Sequence, residues 1–156
     1  MMLRKKNAKF IALFIIALSI VSCNSTKETT NFKPLANAIS TNMISDSVSA
    51  DPTDVKTENG TTCYIYENSK YADYIGTTTY YCAEDQVMLS RWAYDVEEDE
   101  DRGDVYNDIL AALEEEYGSF TKGDNDVTYT LKTEKEMITL ESFSVENGYN
   151  IVITCN

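Results

Sequence analysis

DVYNDILAALEEEYG, Asp104 to Gly118, is the stretch on which the fold turns. Val105, Ile109, Leu110, Leu113 and Tyr117 recur at helical spacing, Asp104 is available as N-cap and Gly118 as a C-terminal stop, so one helix is predicted over 104–117. On both sides of it the period changes to two. Thr61–Glu67 and Thr77–Ala83 are rich in Thr and Tyr, the composition of paired strands, and the stretch between them, with Gly76, reads as a loop. A tight turn at Glu84 and Asp85 leads into a third strand, Gln86–Val96, with Met88, Trp92, Tyr94 and Val96 on one face and Val87, Leu89 and Ala93 on the other. After the helix come Val127–Thr133 and Met137–Val145; Asn147 and Gly148 then form a strong hairpin signal before Tyr149–Cys155. The expected fold is α+β, a mostly antiparallel sheet of about six short strands with one helix packed on it, in the order β-β-β-α-β-β-β.

Upstream of residue 58 the character differs. Residues 24–57 are rich in Ser, Thr, Asn and Asp, hold both prolines, Pro34 and Pro52, and carry few large apolar residues, which predicts a disordered tether. A short helix within Leu35–Ile44 is the one exception. As a flexible coil such a tether spans about 30 Å. Residues 58–156 are then the single folded domain, long enough for one small core.

The first 22 residues carry a different signal. Arg4, Lys5, Lys6 and Lys9 precede an apolar run from Phe10 to Val21, broken only by Ser19, the charged and apolar regions of a secretory signal peptide. A 12-residue helix rises only about 18 Å against a hydrocarbon core of about 30 Å, so the run suits export and not permanent spanning. It ends in Ile20, Val21, Ser22 and Cys23, which resembles the lipobox of bacterial lipoproteins. That resemblance implies cleavage before Cys23, acylation including a diacylglyceryl group on Cys23, and residence at the extracytoplasmic face of a membrane, where two acyl chains hold stably. The alternative is an ordinary signal peptide followed by a chance cysteine. With its polar tether and element order, the chain also resembles the small YehR-like lipoproteins over residues 58–156, a resemblance that implies fold and location but no activity.

Cleavage there removes four of the 13 basic residues and none of the 26 acidic ones, leaving nine against 26, a net charge of −17. Such a chain repels phosphate backbones, so nucleic acid is not an expected partner. The expected partners are the membrane, through the lipid, and an envelope protein or glycan. The chain contains no histidine, which removes the usual general base, the usual zinc ligand and the His-activated nucleophiles. Carboxylate-pair chemistry survives on composition, but no spacing singles out a pair, so no catalytic residue, metal ligand or cofactor is assigned. A non-enzymatic binding module is the leading expectation; an envelope enzyme using paired carboxylates and an acidic cation-binding protein are the alternatives.

Four residue groups are candidates for particular roles. With Cys23 acylated, three cysteines remain, and a first hairpin symmetric about Ala72 and Asp73 would set Cys63 opposite Cys82 within disulfide range. Cys63 with Cys155 is the rival pairing, and three buried free thiols are the remaining reading. Tyr64, Tyr66, Tyr81 and Trp92 are candidates for an aromatic binding surface, although strand alternation would divide such residues between faces. Asp95–Asp104 holds seven carboxylates, but with Glu97, Asp99 and Asp101 as the first ligands of a calcium loop, Arg102 falls where its glycine belongs. Finally, Glu114, Glu115 and Glu116 set three negative charges in the last turn of the helix, against its dipole.

Overall fold

The structure is a computed structural model that describes residues 29–35, 39–48, 50–125 and 127–156. Ten strands and two helices follow one another as β1 (Thr30–Asn31), β2 (Ile39–Ser40), α1 (Asn42–Ser47), β3 (Asp54–Glu58), β4 (Thr61–Tyr71), β5 (Tyr74–Ala83), β6 (Gln86–Asp95), α2 (Arg102–Tyr117), β7 (Thr121–Lys122), β8 (Thr128–Lys132), β9 (Met137–Val145) and β10 (Gly148–Cys155). All strands join one sheet in the order β1-β4-β5-β6-β10-β9-β8-β7, with β3 also paired to β4 and β2 to β6.

This corrects the expected fold class. Strand makes up 52% of the described residues and the sheet is mixed, because β1 runs parallel to β4, so the chain is mostly β and not a six-stranded antiparallel α+β domain. The six expected strands survive as β4, β5, β6, β8, β9 and β10; the four additions are β1, β2, β3 and β7. Three of those are two residues long and carry no readable period. The fourth, β3, is exposed at every position, so no hydrophobic alternation marks it. Its turn is legible, however: Asn59 and Gly60 both take positive φ (50° and 81°), as a two-residue hairpin requires.

The expected tether is corrected with it. Within 29–57 the described residues supply three strands, a short helix and the buried side chains Phe32, Leu35, Ile44 and Val48, so the packed structure begins well before residue 58. Cys23 and the segment expected to be a signal peptide lie outside the described residues.

Two clusters of apolar side chains occupy the same face of the sheet. Under α2, Val105, Tyr106, Ile109 and Leu113 pack on Trp92, Tyr94, Ile138, Leu140, Ile151 and Ile153. Full burial of each aliphatic side chain stabilises by about 1.5–3 kcal/mol. Beside it, Leu35, Ile44 and Val48 cover Tyr66, Tyr80, Cys82 and Val87. Val87 reaches that face because of a bulge: Tyr81 pairs with Leu89 and Cys82 with Val87, which leaves Met88 unopposed and exposed. The expected placing of Met88 with Trp92, and of Val87 with Leu89, fails for this reason.

The first hairpin is longer than predicted. The presumed loop before Gly76 is strand, and β4 continues past a bulge between Tyr66 and Ser69 to a turn at Ala72 and Asp73. Gly76 is needed for close approach, since a Cβ there would stand 2.2 Å from the Ala93 carbonyl oxygen. The N-cap of α2 is Asp101, not Asp104: one carboxylate oxygen accepts from the Gly103 and Asp104 amides at 2.8 and 3.1 Å.

Candidate functional site

One face of the sheet is covered by α2 and the residue 29–48 segment; no described element lies over the other. The register identifies what this open face presents. Its middle row runs Ile65, Thr79, Arg91, Thr154, Thr139, Thr130 and Thr121, on β4, β5, β6, β10, β9, β8 and β7 in turn. The row to one side holds Cys63, Tyr81 and Leu89, and the row to the other Thr77, Ala93, Val152, Glu141 and Thr128. Alternation alone produces this: Arg91 lies between Ser90 and Trp92, both buried on the covered face.

Arg91 is half-buried, and among the described residues its guanidinium has neither an ion pair nor a hydrogen bond. In so acidic a chain that is uncommon company for an arginine, and the register explains it. Asp54 stands at the end of the same row, three strands away at about 4.8 Å per strand, and is already paired with Lys56 at 3.0 Å. That pair holds the exposed Asp54 carboxyl below its usual range, chiefly through its hydrogen bond with Lys56. Next to Arg91 on both flanking strands are Thr79 and Thr154, hydroxyls and not carboxylates. A cleft of about 420 Å³ adjoins the row, lined among others by Lys56, Cys63, Ile65, Thr79 and Tyr81.

A second, polar cleft of about 320 Å³ lies where the N-terminal segment meets the bulge of β4, lined by Thr30, Asp51, Thr53, Tyr66, Glu67 and Asn68. Among the described residues the buried Thr30 hydroxyl has no hydrogen-bond partner, and Asn68 takes a positive φ of 58°. Burial, with Asp51 among the nearby charges, pushes the Tyr66 hydroxyl up.

The expected site residues are not brought together. Trp92 is fully buried, its indole N–H donating to the Ser69 carbonyl at 2.8 Å. Tyr66 is buried edge-on against Tyr80 and Tyr64 packs beside them, whereas Tyr81 is on the opposite face. The aromatic surface therefore does not exist as predicted; most of these rings are core.

The cysteine pairings fail on register. Cys63 stands opposite Tyr81, and Cys82 opposite Thr62, so the two thiols project from opposite faces of neighbouring strands. Cys63 and Cys155 are on β4 and β10, with β5 and β6 between them. All three are free thiols, Cys63 half-buried and the others buried. Burial drives Cys82 up to about 11, and burial with the nearby Glu136 drives Cys155 up to about 12.

The acidic loop is built into the fold. Glu100 accepts from the Tyr94 hydroxyl at 2.6 Å and from the Glu97 amide at 3.0 Å, Asp95 accepts from the Asn150 side chain at 2.7 Å, and Asp101 caps α2. Among the described residues no three Asp, Glu or Cys side chains are grouped to hold a metal. The three glutamates ending α2 are partly compensated too: Glu114 accepts from the Phe120 amide at 3.1 Å and Glu116 from the Tyr117 hydroxyl at 2.8 Å.

Sequence reasoning missed Arg91 and the threonines beside it. The signal was present as a basic residue at an open-face position of LSRWAYD and as Thr at alternating positions of TYTLK, MITLE and IVITC. No protein-family model matches the chain, and neither a curated protein nor a solved structure matches it.

Proposed function

We propose that this chain is an extracytoplasmic lipoprotein, held on a membrane through Cys23, whose folded part is a non-enzymatic binding module acting through the open face of its sheet. The anchor rests on the sequence: a basic start, a 12-residue apolar run and a lipobox-like Ile20–Cys23. The single observation that carries the binding role is the face left uncovered by the described elements, which holds an Arg91 without a partner among the described residues, a row of threonines and the half-buried Tyr81. Rigid elements that hold polar groups open to solvent suit recognition, because little side-chain order has to be created on binding. The YehR-like resemblance agrees with this location and supplies no chemistry.

Cell fractionation and mass spectrometry test the anchor. Wild type should sediment with membranes and carry a diacylglyceryl group on an N-terminal Cys23, and Cys23→Ser should leave the membrane fraction. A wild-type chain cut elsewhere and freely soluble would defeat the anchor. Retention of the Cys23→Ser chain on isolated cell envelopes tests the binding role; a chain that passes through unretained would defeat it. The enzyme alternative draws on the second cleft, whose lining includes the carboxylates Asp51 and Glu67.

A further inference from the structure

We infer that the row centred on Arg91 is a glycan-binding site, and that its ligand is an extended oligosaccharide bearing isolated carboxylates among neutral hydroxyls. This rests on the binding-module reading above and names the ligand class for that same face.

Three observations select this ligand over others. Among the described residues Arg91 has no carboxylate partner, and a planar guanidinium recognises a carboxylate through two parallel hydrogen bonds. A densely charged polyanion is disfavoured, because the chain itself is strongly acidic and would repel it. One carboxylate amid neutral groups matches one arginine.

The second observation is the hydroxyl row. Thr154, Thr139 and Thr130 extend from Arg91 across successive strands, at a spacing of about 4.8 Å, which is close to the length of one pyranose ring. Each hydroxyl can donate and accept, as sugar hydroxyls do. Tyr81, in the adjoining row, offers a ring face to the sugar's C–H surface.

The third is the sheet's connectivity. The row's central strands β5, β6, β10 and β9 are each paired on both sides, so their main-chain groups are closed to an added peptide strand. Recognition at this place therefore falls to side-chain hydroxyls and the guanidinium.

Calorimetry on the full chain in detergent tests the assignment with three probes: a hexosamine oligosaccharide carrying one carboxylate per disaccharide, its methyl ester, and a peptide with carboxylates at comparable spacing. The first should bind saturably and more weakly as salt rises. The ester should bind at least tenfold more weakly, and Arg91→Gln should lose at least tenfold for the first probe with an unchanged circular dichroism spectrum. Should that variant misfold, Thr139→Val/Thr154→Val carries the test, with a several-fold loss expected. Equal affinity for the ester, an undiminished variant, or tighter binding of the peptide would overturn the inference. If envelopes retain the Cys23→Ser chain equally with and without Arg91→Gln, the inference fails and the binding-module reading stands; if they retain neither, both fail.

Discussion

Arg91 and Trp92 are neighbours in sequence and opposites in circumstance. Trp92 is on the covered face, sealed by α2 and hydrogen-bonded to the Ser69 carbonyl; Arg91 is on the open face, without a partner among the described residues. The covered face is an apolar core whose polar groups are mostly satisfied internally, whereas the open face carries a guanidinium that, among the described residues, makes no hydrogen bond or ion pair. Alternate residues of the same strands thus serve the core and, on the proposed reading, recognition, so each can be perturbed without the other.

The largest effect should come from the covered face. Trp92→Ala removes the biggest side chain of the core and leaves the Ser69 carbonyl without its donor, and should cost about 3–5 kcal/mol in a denaturant titration. A loss under about 1 kcal/mol would mean that this ring is not core. Next in size, Ile44→Ala tests whether the N-terminal segment belongs to the same core. Ile44 is 3% exposed against Tyr80 and Val87, so its truncation should cost about 2–4 kcal/mol, where a residue in a disordered tether would cost almost nothing.

The covered face should also set the alkaline limit. Cys82 is driven up to about 11 and Cys155 to about 12, Tyr74 to about 12, and burial pushes Tyr80 and Tyr106 up as well. A raised acid holds its proton more tightly in the folded state, so this stability is fully present below the unfolded values of 9 for thiol and 10 for phenol. It is lost as pH climbs through the folded values. Thermal melts should therefore fall steadily between pH 9 and 12; a flat profile across that window would contradict the burial of these groups. Smallest of all, Arg91→Gln should change stability by less than about 0.5 kcal/mol, since among the described residues it removes no ion pair or hydrogen bond and leaves part of the side-chain stem in place, while lowering affinity for the proposed ligand at least tenfold.

Much of the covered face was legible and little of the open face was. Ile109 and Leu113 announced a helix because their spacing is that of a buried stripe, and six strands were readable because their alternation records one apolar face. Strand β3 was not, because an edge strand exposed on both sides has no alternation to read; only Asn59–Gly60 marked its turn. The tether was misread because polar composition hides the few residues that matter: Leu35, Ile44 and Val48 are widely spaced, yet all three are buried. The disulfide was misplaced by one residue of register, enough to send Cys63 and Cys82 to opposite faces. The Arg91 row escaped because its residues are separated in sequence and meet only through the β6–β10 pairing, which links strands on either side of the helix.

The division of the sheet into two faces is tested most directly by the three thiols it distributes. Freshly reduced Cys23→Ser protein, treated with a maleimide under native conditions and digested for mass spectrometry, should be labelled at Cys63 on the open face. Cys82 and Cys155, 3% and 0% exposed on the covered face, should react only after denaturation. Native labelling of Cys82 alongside Cys63, or a Cys63–Cys82 disulfide in the unreduced protein, would contradict the register and with it the assignment of residues to the two faces.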